Sequence, residues 1–125
     1  MDRKALIREY KASRRPMGVF QVRNTLTGKV YLGATADLPA MLNRQRAQLQ
    51  MGAHPNRLLQ ADWRGHGAAA FAFEVLDTLT PADQPDYDPA ADLRTLEAMW
   101  MAKVAPFGDH GYHAEPKPGG ASSNP

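Results

Sequence analysis

Two short runs decide the fold: Gly18-Val-Phe-Gln-Val-Arg23 and Lys29-Val-Tyr-Leu-Gly33. Both are rich in β-branched and aromatic residues, the types that fit a pleated, half-buried surface. Asn24-Thr-Leu-Thr-Gly28 lies between them and supplies turn chemistry. Together they predict a β-hairpin. Alternation in the second run puts Val30 and Leu32 on one face, and Lys29, Tyr31 and Gly33 on the other. Tyr31 therefore need not belong to the main core. A structural tyrosine is the bland reading of that position and a reacting phenol the sharper one.

Downstream of the hairpin, Asp37 is a candidate N-cap for a helix reaching Met51, with Gly52 as its stop. Leu38, Leu42, Gln45 and Leu49 fall on one face of it, with Met41 beside them. Pro55 stands where the first turn of a second helix begins, carried by Leu58, Leu59 and Trp63 to Gly65 or Gly67. Phe71-Ala-Phe-Glu-Val-Leu76 alternates and predicts a third strand. Three prolines and three aspartates make residues 80–89 a polar loop. Asp88 and Pro89 then read as the cap and first position of a last helix ending near Val104, with Leu93, Leu96, Trp100 and Val104 as its apolar stripe. Residues 1–15 predict a charged helix interrupted at Pro16. The tail, residues 114–125, has almost nothing to bury and reads as disordered. The expected domain is residues 16–113: an α/β (α+β) fold with a small three-stranded, largely antiparallel sheet flanked by helices.

The 125 residues allow one modest core. No apolar run approaches the ~18 residues that a membrane-spanning helix needs, and the first residues, MDRKALIREYKASRR, hold no apolar leader. The absence of cysteine excludes a disulfide framework, a thiolate metal site and a cysteine nucleophile. The expectation is a cytoplasmic protein with no membrane partner. Its net charge of +2 conceals an asymmetry. Residues 1–67 carry twelve Lys/Arg against four Asp/Glu, and residues 68–125 three against nine. A basic half can serve a phosphate backbone; the bland alternative is that opposite charges mix on the folded surface. Arg44 and Arg46 on the first long helix, with Arg57 and Arg64 on the next, are the candidate phosphate contacts.

Glu97 borders the apolar stripe of the last helix, at helical spacing from Leu93 and Trp100. A carboxylate there either stays at the rim, pairs with a cation, takes up a proton or binds a metal. The bland reading is a side chain snorkelling to solvent. His54, His66, His110 and His113 invite a metal reading through the spacing of the last two, but no third ligand is evident beside them.

Gly18-Val19-Phe20 on one strand and Tyr31-Leu32-Gly33 on the next, followed by a helix, resemble the signature of the GIY-YIG nuclease family. The similarity continues through residues 38–44 and 54–63, Phe71-Ala-Phe-Glu-Val-Leu76, Leu96-Glu97 and Gly111-Tyr112. What the resemblance implies is metal-assisted hydrolysis of a DNA phosphodiester. It also implies a tyrosine from each tripeptide at the reacting centre and an arginine of the following helix on the scissile phosphate. A polar residue, often histidine, stands one turn further on, and a glutamate of a later helix holds one divalent cation, Mg²⁺ or Mn²⁺. The physical chemistry agrees: a hard cation takes carboxylate oxygen, and a cationic side chain stabilises charge developing on phosphoryl oxygens.

Carried over by position, Tyr31 matches the second tyrosine, Gly18 and Gly33 the glycines, and Glu97 the metal ligand. Phe20 replaces the first tyrosine, Met41 falls at the arginine and Gln45 at the histidine. His113 follows Gly-Tyr where the family often has asparagine. Arg44, three residues beyond Met41, is the expected substitute for the arginine. Tyr31, Arg44 and Glu97 are thus the expected catalytic set, Glu97 the metal ligand, and Arg44, Arg46, Arg57 and Arg64 the nucleic-acid contacts. The altered positions leave two readings open: a metal-dependent DNA endonuclease with a rearranged site, or a catalytically inactive nucleic-acid-binding or regulatory module. A third is an interaction domain with no nucleic-acid partner. In so short a chain, any DNA preference is expected to be structural rather than sequence-specific, or to come from a partner protein.

Overall fold

The computed structural model describes residues 15–115. The charged helix expected over 1–15 and the tail expected from 114 fall outside that range, but for their innermost positions.

Three strands, β1 (Met17–Asn24), β2 (Val30–Thr35) and β3 (Phe71–Leu79), form one sheet in the order β2-β1-β3, antiparallel throughout. The expected hairpin is β1–β2, with Gly18 opposite Thr35 and Arg23 opposite Val30. Its turn is closed by the Asn24 side chain, which accepts the Leu26 N–H, and by Gly28 at φ 81°. Strand β3 runs three residues beyond the expected Leu76, because Asp77, Thr78 and Leu79 still pair with Val19, Gly18 and Met17. A bulge between Val19 and Phe20 interrupts that pairing. Next to it, Gly18 lets β3 come close: a Cβ there would lie 2.0 Å from the Asp77 carbonyl oxygen.

Helix α1 (Leu38–Met51) starts as expected, with the Asp37 carboxylate accepting the Ala40 N–H, and stops at Gly52 in the left-handed region. Helix α2 (Arg57–His66) starts two residues later than its proline suggests. The Asn56 side chain accepts the Leu59 N–H and so makes Asn56 the cap, with Pro55 before it. Helix α3 (Ala90–Val104) has Pro89 as its flanking residue, while Asp88 accepts the Ala90 N–H.

The sheet has two covered faces. On one, Val22, Tyr31 and Phe73 pack with Leu49 of α1, Leu59 and Trp63 of α2, and Tyr112. On the other, Val19, Val30, Leu32 and Leu76 meet Leu96, Trp100, Met101 and Val104 of α3. The apolar stripe expected for the last helix is thus the one that packs. Beyond α3 the chain returns along the outer edge of β2: Gly111 bridges Val30, and the Tyr112 N–H donates to the Val30 carbonyl at 3.0 Å. That return brings His113 beside Tyr31.

Candidate active site

An open cleft of about 620 Å³ lies where β2 meets α1 and α3. Strand β1 supplies Phe20, β2 supplies Tyr31 and Gly33, and α1 supplies Met41 and Gln45, one turn apart on one face. From α3 come Arg94, Glu97, Ala98 and Met101, whose i, i+3, i+4, i+7 spacing is a single stripe. The returning segment adds His113.

Tyr31 is half-buried between two imidazoles. The His113 ring stacks on it with centroids 5.1 Å apart and planes 7° from parallel, and the His54 ring meets it edge-on at 5.1 Å. Burial, and then the negative charge of Glu97, raise its pKa above the ordinary phenol value, so it is a neutral hydroxyl at physiological pH.

The two histidines are fixed through their own ring nitrogens. The Leu32 N–H donates to His113 Nε2 at 2.9 Å, so the neutral ring carries its proton on Nδ1. The Asn56 N–H donates to His54 Nδ1 at 2.9 Å, which leaves the proton on Nε2. That proton is donated to Gln45 Oε1 at 2.6 Å. Gln45 in turn directs its amide nitrogen to Met41 Sδ at 3.4 Å. Burial pushes both imidazoles below the ordinary histidine value. Around Tyr31 the wall is therefore polar but uncharged.

Glu97 stands at the rim, partly exposed, and makes no hydrogen bond or ion pair among the described residues. No cluster of three or more His, Cys, Asp or Glu side chains able to hold a metal occurs among the described residues. One unpaired carboxylate in an open cleft suits a hard cation that keeps most of its waters and takes few protein ligands, rather than one enclosed in a protein cage.

Of the residues singled out in the sequence, the fold brings Tyr31 and Glu97 together, along with Phe20, Met41, Gln45 and His113. It does not bring Arg44. That side chain is exposed and outside the cleft lining, because it lies about 100° round α1 from the inward-facing Gln45. Arg44, expected to stand in for the arginine, is therefore not among the residues that line the cleft. Arg46 covers the Phe73 ring, 4.4 Å from its centroid. Arg57 and Arg64 line a separate shallow pocket with His54 and Gln60. Sequence reasoning misses Arg94, although its position three residues before Glu97 places it on the same helical face.

No protein-family model matches the chain. Over 50 residues, 40% of its length, it is 36% identical to the intron-associated endonuclease 1 of Enterobacteria phage T4, of which the match spans only 20%. Among solved structures, the catalytic domain of the homing endonuclease I-TevI superposes with a TM-score of 0.63 at 26% identity. That match covers 77% of this chain and 95% of the other. The catalytic domain of the intron endonuclease I-TevI carrying a glutamate-to-alanine substitution gives 0.60 at 23% identity, covering 72% and 84%. The chain shares the fold of the catalytic domain of that homing endonuclease, and the order of its sequence motifs resembles the GIY-YIG signature.

Proposed function

We propose that the cleft hydrolyses a phosphodiester of DNA with the help of one divalent cation, Mg²⁺ or Mn²⁺, held by Glu97. The observation that carries this reading is the meeting of Tyr31 and Glu97, far apart in sequence, on one open cleft close enough for the carboxylate charge to be felt at the phenol. A bound divalent cation supplies polarisation of a phosphoryl oxygen and stabilisation of the leaving group. The Tyr31 hydroxyl, neutral and clamped by two rings, orients the attacking water and passes on its proton. His113, which lines the cleft, carries its ring proton on Nδ1. Arg44, Arg46, Arg57 and Arg64, all exposed on α1 and α2, engage phosphates flanking the cleft rather than the one inside it.

The apolar replacements set the rate. Removing one preorganised electrostatic interaction with a transition state slows a reaction by a factor on the order of 10²–10³, and Phe20 and Met41 both line the cleft. Turnover is therefore slow. The same two residues support a second reading, a module that binds DNA without cutting it. Nicking of supercoiled plasmid, run beside binding of the same DNA across Mg²⁺, Mn²⁺ and salt concentrations, separates them. Metal-dependent nicking that stops in EDTA is the expected result; salt-sensitive binding with no nicking at any metal concentration carries the second reading instead.

A further inference from the structure

A phosphodiester entering the cleft brings negative charge next to the Glu97 carboxylate, and a cationic side chain in the cleft stabilises it alongside the metal ion, or in its place when the metal is removed. The wall formed by α1 offers none: Met41 is apolar and Gln45 neutral, and Tyr31 and His113 are neutral as well. Among the described residues lining the cleft, Arg94 is the one permanent cation. It is exposed, and it has neither a hydrogen bond nor an ion pair with any described residue, so its guanidinium is uncommitted. It stands one turn before Glu97 on the same stripe of α3.

We propose that Arg94 engages the phosphate held in the cleft, supplying from α3 the positive charge that α1 lacks at Met41. The inference rests on reading the cleft as a phosphodiester site, and it adds to that reading the residue that meets the substrate's charge. A guanidinium suits the task because its planar fork of N–H donors pairs with two phosphate oxygens at once. It also gives the cleft a polarity: cation and carboxylate both come from α3, and the neutral clamped hydroxyl faces them from β2.

The test has two arms. In EDTA, where nothing is cut, a fluorescent 20-base-pair duplex is titrated across a salt series. With one phosphate partner removed, Arg94→Ala lowers the slope of log affinity against log salt by about 1. Lys103→Ala, which removes the same charge from α3 outside the cleft, leaves the slope as in wild type. In Mg²⁺ or Mn²⁺, plasmid nicking by Arg94→Ala falls by about 10²-fold, and Arg94→Lys, with the charge but not the fork, recovers part of it. Adding Met41→Arg to Arg94→Ala restores nicking from the opposite wall, which a merely structural role for Arg94 does not allow. Wild-type nicking in Arg94→Ala overturns the proposal and leaves the nuclease reading standing. If the wild-type protein itself does not nick, the nuclease reading fails, and the binding arm decides: a reduced slope keeps Arg94 as a phosphate ligand and an unchanged slope overturns it.

Discussion

Tyr31 is held by two histidines, and each histidine is held by a backbone N–H, from Leu32 and from Asn56. Protonating either ring sets two donors against each other, and burial already pushes both below the ordinary histidine value. Their unfolded value is about 6.5. The unfolded chain therefore takes up these protons first as pH falls, so the stability they contribute is complete above about 6.5 and is lost below it. The urea midpoint is expected to be lower at pH 5.5 than at pH 7.5; equal midpoints contradict the clamp. Tyr31→Phe keeps the stacked ring and removes only the hydroxyl. Nicking is expected to fall by about 10²-fold while the thermal midpoint barely moves, whereas a large drop in both marks Tyr31 as structural. Tyr31 and Glu97 are legible in the sequence because they stand within ordered motifs. The clamp is not, since the His113 ring finds its donor 81 residues away and only the return of the chain along β2 brings the two together.

Strand and helix boundaries show the same division between local and distant causes. Asp37 and Gly52 are readable as the ends of α1 because a cap acts on residues a few positions away. Asp37→Ala is expected to cost about 1 kcal/mol of stability by denaturant titration. Pro55 misplaces the start of α2 because it is the more familiar signal, while Asn56 makes the bond that fixes the end; its amide nitrogen also ties the cap to the Tyr112 carbonyl at 2.9 Å. The extension of β3 past Leu76 depends on Met17, Gly18 and Val19 and has no local signal. Gly18 is the sharpest case at this scale. In Gly18→Ala the new methyl meets the Asp77 carbonyl, which is backbone of the neighbouring strand and cannot rotate away. A loss of about 3 kcal/mol or more is expected. Gly28→Ala in the hairpin turn meets no atom within 4 Å and bears only the cost of its positive φ, about 1 kcal/mol. Equal losses at the two glycines contradict the close approach of β1 and β3.

Across the whole domain, the arginines singled out in the sequence fall on the helices of one side of the sheet. Arg44, Arg46, Arg57 and Arg64 lie on the two helices that cover one face, while α3 packs on the other and follows the acidic loop of residues 80–89. The asymmetry along the sequence is kept in part, in the arginines of α1 and α2, and mixed in part, where Arg23 of β1 pairs with Glu74 of β3 at 2.8 Å and α3 carries Arg94 and Lys103. Phosphate contacts from these four arginines and Arg94 give a salt slope of about −4.5 for DNA binding. Neutralising Arg57 and Arg64 together is expected to flatten it by about 2 and to weaken different DNA sequences alike; an unchanged slope removes α2 from the interface. The cleft lies between these regions, with the α1 wall and its neighbouring arginines on one side and Glu97 on the other. That cleft is the proposed reacting centre, and the most direct test is the rate of metal-dependent plasmid nicking by Glu97→Gln against wild type, the two proteins purified identically. The substitution keeps the size of the side chain and removes its charge, so a loss of about 10²-fold or more is expected with unchanged folding and DNA affinity. Equal nicking by the two proteins contradicts the account, since hydrolysis then owes nothing to the carboxylate of this cleft.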